Sequence, residues 1–169
     1  MEIERKFLVT KTPENLEKYD CKFLEQAYIS TEPVIRIRAI KNKNDNTKRY
    51  ILTVKSEGMM ARQEYELEIT ETAYNNLMQK TEGNTISKYR YIIPLEDNLK
   101  LELDVFLGDF EGIIMGEIEF PSEEYAKKYD PPAFLGKEVT FDKRFHNSSM
   151  TKMSSDEISV LILFTHENS

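Results

Sequence analysis

Arg62-Gln63-Glu64-Tyr65-Glu66-Leu67-Glu68-Ile69 alternates charged and apolar residues without a break after Gln63. Successive side chains of a strand point to opposite faces. The stretch therefore predicts a strand with Arg62, Glu64, Glu66 and Glu68 on one face and Tyr65, Leu67 and Ile69 on the other. The same alternation recurs along the chain. Eight segments read as strands, at about Glu2–Val9, Leu24–Ser30, Val34–Ile40, Arg49–Ser56, Arg62–Thr70, Ser87–Ile93, Leu99–Leu107 and Ile113–Phe120.

Their separators carry turn chemistry: the polar, Asn-rich Lys41–Lys48, the tight Glu96-Asp97-Asn98, and a turn bracketed by Gly108 and Gly112. Three short helices are predicted between them. One starts at Thr12-Pro13-Glu14, a second runs from Glu71 to Lys80, and a third from Ser122 to Tyr129. The tail from Ser154 begins like a capped helix, although Val160-Leu161-Ile162-Leu163-Phe164 also suits a buried strand. Strands joined mainly by hairpins predict a mainly β fold with flanking helices. Eight of them suffice to close an antiparallel β-barrel, which removes exposed edges.

The charged face is unusual. Glu2, Glu4 and Lys6 share it on the first strand, Arg36 and Arg38 on the third, Lys88 and Arg90 on the sixth. Glu102 and Asp104 follow on the seventh, Glu117 and Glu119 on the eighth, and Lys55 ends Thr53-Val54-Lys55. Any one pair would suit the wet face of an antiparallel sheet. Together they are segregated by sign, whereas a solubilising face mixes signs freely. If the sheet closes with its apolar face outward under the helices, the charges line a lumen. Like charges that close repel unless something intervenes. Cations between carboxylates and phosphates between basic groups relieve both repulsions.

Lys6, Arg36, Arg38, Lys55, Arg62, Lys88 and Arg90 contribute seven positive charges to that face. Glu2, Glu4, Glu66, Glu68, Glu102, Asp104, Glu117 and Glu119 contribute eight negative ones, for a sum of −1. Two divalent ions would bring it to about +3, a fair match for a triphosphate. Glu64 and Lys100 share the parity but lie near strand ends and are left out. An all-oxygen ligand set favours a hard cation, Mg2+ or Mn2+. His146 and His166 read as surface histidines and Cys21 as ordinary packing.

Composition bounds the rest. The chain has 169 residues, enough for one domain, with 31% charged residues and a net charge of −7. That balance disfavours general binding to nucleic acid or anionic membrane. The N-terminus does not read as a signal peptide, and the longest apolar run, Val160–Phe164, is too short to span a bilayer. A cytoplasmic protein, monomeric or homodimeric, is the expectation.

Glu2-Ile3-Glu4-Arg5-Lys6 resembles the E-x-E-x-K signature of the CYTH proteins, or triphosphate tunnel metalloenzymes. The rest follows in that family's order: Arg36-Ile37-Arg38, Thr53-Val54-Lys55, Arg62 to Glu68, Lys88-Tyr89-Arg90-Tyr91, Glu102-Leu103-Asp104-Val105-Phe106 and Glu117-Ile118-Glu119. Gly136 to Asn147 is similar to a stretch of the family's bacterial branch, with Phe145 in place of a Tyr. The resemblance covers about residues 1–150 and implies an eight-stranded tunnel with a charged lumen, in a single domain over 1–169 with 154–169 as a C-terminal helix or tail.

It also implies hydrolysis of triphosphate compounds, inorganic tripolyphosphate first among them. Adenylate cyclisation, hydrolysis of a thiamine or nucleoside triphosphate, and a non-catalytic polyphosphate-binding module are the alternatives. Carried over by position, Glu2, Glu4, Asp104, Glu117 and Glu119 would hold metal. Glu2, Glu4, Lys6, Glu117 and Glu119 would form the catalytic group. Lys6, Arg36, Arg38, Lys55, Arg62, Lys88 and Arg90 would hold phosphates, and Glu66, Glu68 and Glu102 would line the tunnel. In such relatives a C-terminal helix plugs one mouth, a role open to Ser154–Phe164 alongside a dimer contact.

Overall fold

The alternating stretch at Arg62–Ile69 is where the sheet closes on itself. A computed structural model of the chain describes residues 1–168. It contains β1 (Glu2–Leu8), β2 (Asp20–Thr31), β3 (Val34–Asn42), β4 (Lys48–Lys55), β5 (Ala61–Arg62), β6 (Glu64–Ile69), β7 (Glu82–Pro94), β8 (Lys100–Phe106) and β9 (Ile114–Glu119). They form one antiparallel sheet in the order β5-β1-β9-β8-β7-β2-β3-β4-β6. The ends of that order, β5 and β6, are separated in sequence only by Gln63. Arg62 and Ala61 pair with Glu2 and Ile3 of β1, while Glu64 to Ile69 pair with Lys55 to Tyr50 of β4. The predicted fifth strand is thus split at Gln63 and bonds to both flanks, giving nine strands and a nearly closed barrel.

Four α-helices flank the sheet: α1 (Glu71–Met78), α2 (Glu123–Lys128), α3 (Asn147–Met150) and α4 (Ser155–Asn168). Their starts follow the capping residues. Thr70 Oγ1 accepts from the Ala73 amide at 3.1 Å, and Ser122 Oγ from that of Tyr125 at 3.1 Å. Ser154 and Glu157 exchange side-chain and backbone bonds at 3.2 and 3.3 Å, a capping box that commits the apolar tail to helix. The helix expected at Thr12-Pro13-Glu14 does not form. Asn15 takes a left-handed conformation (φ 59°), and only a 3-10 turn, Leu16–Lys18, precedes β2.

Two apolar layers hold the barrel. Outside it, Ile3, Phe7, Leu101, Leu103 and Ile118 pack under Ala126 of α2 and Leu135. At one end of the lumen, Leu8, Ile86, Phe106 and Met115 meet Phe145, Met150, and Ile158 and Leu161 of α4. Residues 143–150 therefore form the plug, and α4 backs it. The plug is fastened at Gly83 (φ +73°), whose neighbour Asn84 donates its amide to the Thr151 carbonyl at 2.7 Å. A Cβ at Gly83 would stand 2.2 Å from that carbonyl oxygen, so a side chain there would displace the plug. No helix among the described residues is long and apolar enough to cross a membrane.

Candidate functional site

Directly paired residues of antiparallel strands share a face. The register sets Lys6 beside Glu117, Glu4 beside Glu119, Glu102 beside Glu117, and Arg90 beside Asp104. It likewise sets Gln26 beside Arg38 and Lys55 beside Glu64. All these side chains point into the barrel, where a cavity of about 270 Å³ is lined by Glu2, Glu4, Lys6, Arg36, Arg38, Lys55, Arg62, Lys88, Arg90, Glu117 and Glu119. Glu66 and Glu102 line it too. Arg5, between Glu4 and Lys6, points outward and ties the barrel to Glu138 at 2.6 Å and to the carbonyls of Ala126 and Tyr129 at 2.9 and 2.7 Å.

Two expected members behave differently. Asp104 is fully buried, receives two hydrogen bonds from Arg90 at 2.7 and 2.8 Å, and sits 2.6 Å from Lys88 Nζ. Both of its oxygens are engaged, so it serves as counter-ion to two cations rather than as an open ligand. Glu68, expected to line the tunnel, lies beyond the rim, exposed and paired with exposed Arg49 at 3.1 Å. The β6 end that carries it has no β1 partner, so its inward parity leads into solvent.

The cavity also recruits residues that the sequence reading passed over. His146, expected on the surface, lines it together with Asn147, Ser148, Tyr28 and Glu64. Burial, then the charges of Lys6 and Arg62, bring His146 down to about 4, so its imidazole is neutral at physiological pH. His166 lies outside the cavity, its Nε2 3.1 Å from the Gly112 carbonyl oxygen. Glu64, left out as a strand-end residue, sits 3.3 Å from Lys55, whereas Lys100 remains exposed. The one local signal for His146 and Asn147 was the motif-like stretch from Gly136.

The walls differ in sign. On β1 and β9, burial and then nearby carboxylates raise three carboxyls, those of Glu2, Glu4 and Glu119. Glu4 is pushed up to about 8, first by burial and then by Glu117, and Glu119 is raised by burial and the charge of Glu2. Glu2 is raised by burial even though Lys55 donates to it at 3.0 Å. Glu117 goes the other way: burial would raise it, but Lys6, Arg90 and Lys88 hold it well below the usual range. On β3 and β7, burial and the neighbouring Arg36 pull Arg38 down to about 9. Burial, only partly offset by Asp104, pulls Lys88 down to about 7. Buried Arg36 donates to Thr53 Oγ1 at 3.2 Å, but its Nε has no hydrogen-bond partner among the described residues. One wall thus keeps three raised carboxyls and the other two depressed cations.

The sequence as a whole has close counterparts. The model of the CYTH domain matches residues 1–153. The chain belongs to the CYTH domain family. It is 40% identical over 149 residues to an inorganic triphosphatase of Nitrosomonas europaea, covering 88% of this chain and 95% of that one. It is 33% identical over 154 residues to an inorganic triphosphatase of Acetivibrio thermocellus, covering 89% and 93%. A crystal structure of an inorganic triphosphatase superposes with a TM-score of 0.64 at 36% identity, over 91% of this chain and 96% of the other. The CYTH match ends just before α4, so the plug at 143–150 falls within the family domain and the helix behind it does not.

A CYTH site of this composition fits a hard divalent cation. Its free donors are carboxylate oxygens, and the raised Glu2, Glu4 and Glu119 are the groups a cation would relieve. Among the described residues no three His, Cys, Asp or Glu side chains converge as a finished cage. Mg2+ is commonly held by one or two carboxylates, with water and substrate phosphates completing the shell.

Proposed function

We propose that this protein hydrolyses the terminal phosphoanhydride of inorganic triphosphate, releasing orthophosphate and pyrophosphate, with Mg2+ or Mn2+. The observation that carries the reading is one cavity with a cation-seeking carboxylate wall facing an anion-seeking basic wall. The relatives' activity supports it, since both curated relatives are inorganic triphosphatases. The inorganic compound is favoured because charged side chains dominate the cavity lining, with Tyr28 and the His146 imidazole its aromatic groups among the described residues.

Arg36, Arg38, Lys88, Arg62 and Lys55 receive the phosphates. Arg36 brings its unpartnered Nε, and Lys88 a donor left over from its two partners. Glu2, Glu4, Glu117 and Glu119 would hold the cation. When bound, a divalent cation supplies neutralisation of phosphate oxygens and activation of water. Lys6, 3.5 Å from Glu117, stands where the two walls meet and follows the charge that develops on the phosphate. Arg90 and Asp104 fix one another, so the basic wall keeps its geometry as charge moves. Neutral His146 presents a donor and an acceptor at the cavity floor without adding charge. Glu66 and Glu102 at the lining steer cations rather than phosphates.

Phosphate release from tripolyphosphate and from ATP, each with Mg2+, Mn2+ or EDTA, tests the reading. Rapid metal-dependent release from tripolyphosphate with ATP much slower is expected. Cyclic nucleotide with pyrophosphate from ATP would make the protein a cyclase. Tight binding of tripolyphosphate with no turnover would make it a binding module.

A further inference from the structure

Asn147 reaches the cavity from the plug, far in sequence from everything it touches there. Its Oδ1 accepts from Lys88 Nζ at 2.9 Å and from Gln26 Nε2 at 3.0 Å. Gln26 in turn accepts from Arg38 Nε at 2.8 Å through Oε1. The direction of this chain is fixed by its ends. Lysine and arginine side chains only donate, so the Asn147 oxygen must face Lys88 and the Gln26 oxygen must face Arg38. The remaining link can then be made only by the Gln26 amide donating to Asn147. Gln26 is 0% exposed and Lys88 1%, so neither can exchange these partners for water.

The two cations are each oriented from one side only. As the ammonium that Asp104 favours, Lys88 has three donors; Asp104 and Asn147 take two, and the third is left for the cavity that Lys88 lines. Arg38 has no carboxylate partner within ion-pair distance among the described residues, and its Nε is spoken for by Gln26. Its outer guanidinium nitrogens are thereby turned to the lumen. Without Asn147, Lys88 would keep Asp104 but lose its second fixed partner, and the Gln26 amide that aims Arg38 would keep only the longer bond to the Tyr28 hydroxyl, at 3.2 Å.

We propose that Asn147 is a positioning residue that sets Lys88 directly, and Arg38 through Gln26, in the geometry that receives the substrate's phosphates. The plug is then part of the phosphate site rather than a stopper alone. This rests on the phosphohydrolase reading, and the test below separates the two.

The experiment measures kcat, KM and thermal midpoint for Asn147→Ala, Gln26→Ala and the double variant with tripolyphosphate and Mg2+. Calorimetric binding of tripolyphosphate in EDTA is measured for each. Each single variant is expected to raise KM and the EDTA dissociation constant about tenfold, the loss of one hydrogen bond to a charged group, with kcat within about threefold. The double variant is expected to be no weaker than the weaker single one, because both cut one chain. Unchanged KM with a lowered midpoint would reduce Asn147 to an anchor of the plug and overturn the inference. Additive effects on KM would overturn it as well. If Asn147→Ala does not fold, the nearly isosteric Asn147→Leu removes the same acceptor without a void. If the wild type binds tripolyphosphate but does not hydrolyse it, the functional reading falls, and the binding data alone decide the positioning role. If it does not bind, both fall.

Discussion

Arg90 donates two hydrogen bonds to Asp104, at 2.7 and 2.8 Å, inside a barrel where Asp104 has no exposed surface. Lys88 stands 2.6 Å from the same carboxylate. Two strands, β7 and β8, are thereby joined by a buried cluster of two cations on one carboxylate.

Removing Asp104 should therefore damage the metal-free protein. Asp104→Ala takes the paired carboxylate from buried Lys88 and leaves Arg90 only Glu102 and Glu117, a loss of about 3–5 kcal/mol. For a chain of this size that lowers the thermal midpoint by roughly 10 °C. The scan is run in EDTA; an unchanged midpoint there would return Asp104 to the metal-ligand set.

Metal binding should release a proton through Glu4. Its carboxyl is pushed up to about 8 from 4.5, first by burial and then by Glu117, so it is protonated at neutral pH in the metal-free protein. Between those values the folded state holds a proton that the unfolded chain lacks. Glu4's contribution to stability is therefore full below pH 4.5 and is lost as pH rises towards 8. A cation needs the carboxylate form, so Mg2+ binding near pH 7 is expected to release about one proton, seen by calorimetry in two buffers of different ionisation heat. The release should vanish near pH 9 and in Glu4→Gln. Equal release at both pH values would take Glu4 out of the site.

The two walls should fail in different ways. Glu119→Gln is expected to lower kcat for tripolyphosphate about a hundredfold or more, as loss of cation-dependent transition-state stabilisation requires. Arg36→Ala should chiefly raise KM, by about tenfold, through loss of charge-assisted phosphate contacts. Wild-type turnover by Glu119→Gln at saturating Mg2+ would contradict the assignment of the carboxylate wall.

Arg5 offers a control within the same motif. Its guanidinium holds Glu138 and two carbonyls on the outer face, away from the cavity. Arg5→Leu should cost roughly 2–3 kcal/mol in chemical denaturation, the scale of hydrogen bonds to a charged group. KM for tripolyphosphate should not change; a raised KM would mean that the outer clamp shapes the lumen.

Strand alternation, sign segregation and capping were legible because each is local. A period of two assigns every residue of Glu64–Ile69 to a face, and the Ser154–Glu157 pair starts a helix without help from the fold. The parity of Glu2, Glu4, Arg36, Arg38, Lys88 and Glu117 likewise follows from their own strands, so the charged lumen could be drawn before any contact was known.

Only the tertiary structure decided what the parity does not contain. Gln63 divides one predicted strand because its two ends must bond to β4 and β1 at once. Glu68 left the lumen because the barrel had already ended. Asp104 became a counter-ion because register, not type, set it against Arg90. His146 and Asn147 reached the cavity from 59 to 121 residues away along Asn147's bonds, and no local period encodes contacts over such distances. The sequence by itself determined which residues of a strand share a face. Closure of the sheet, and the plug that closes its end, determined which of them meet.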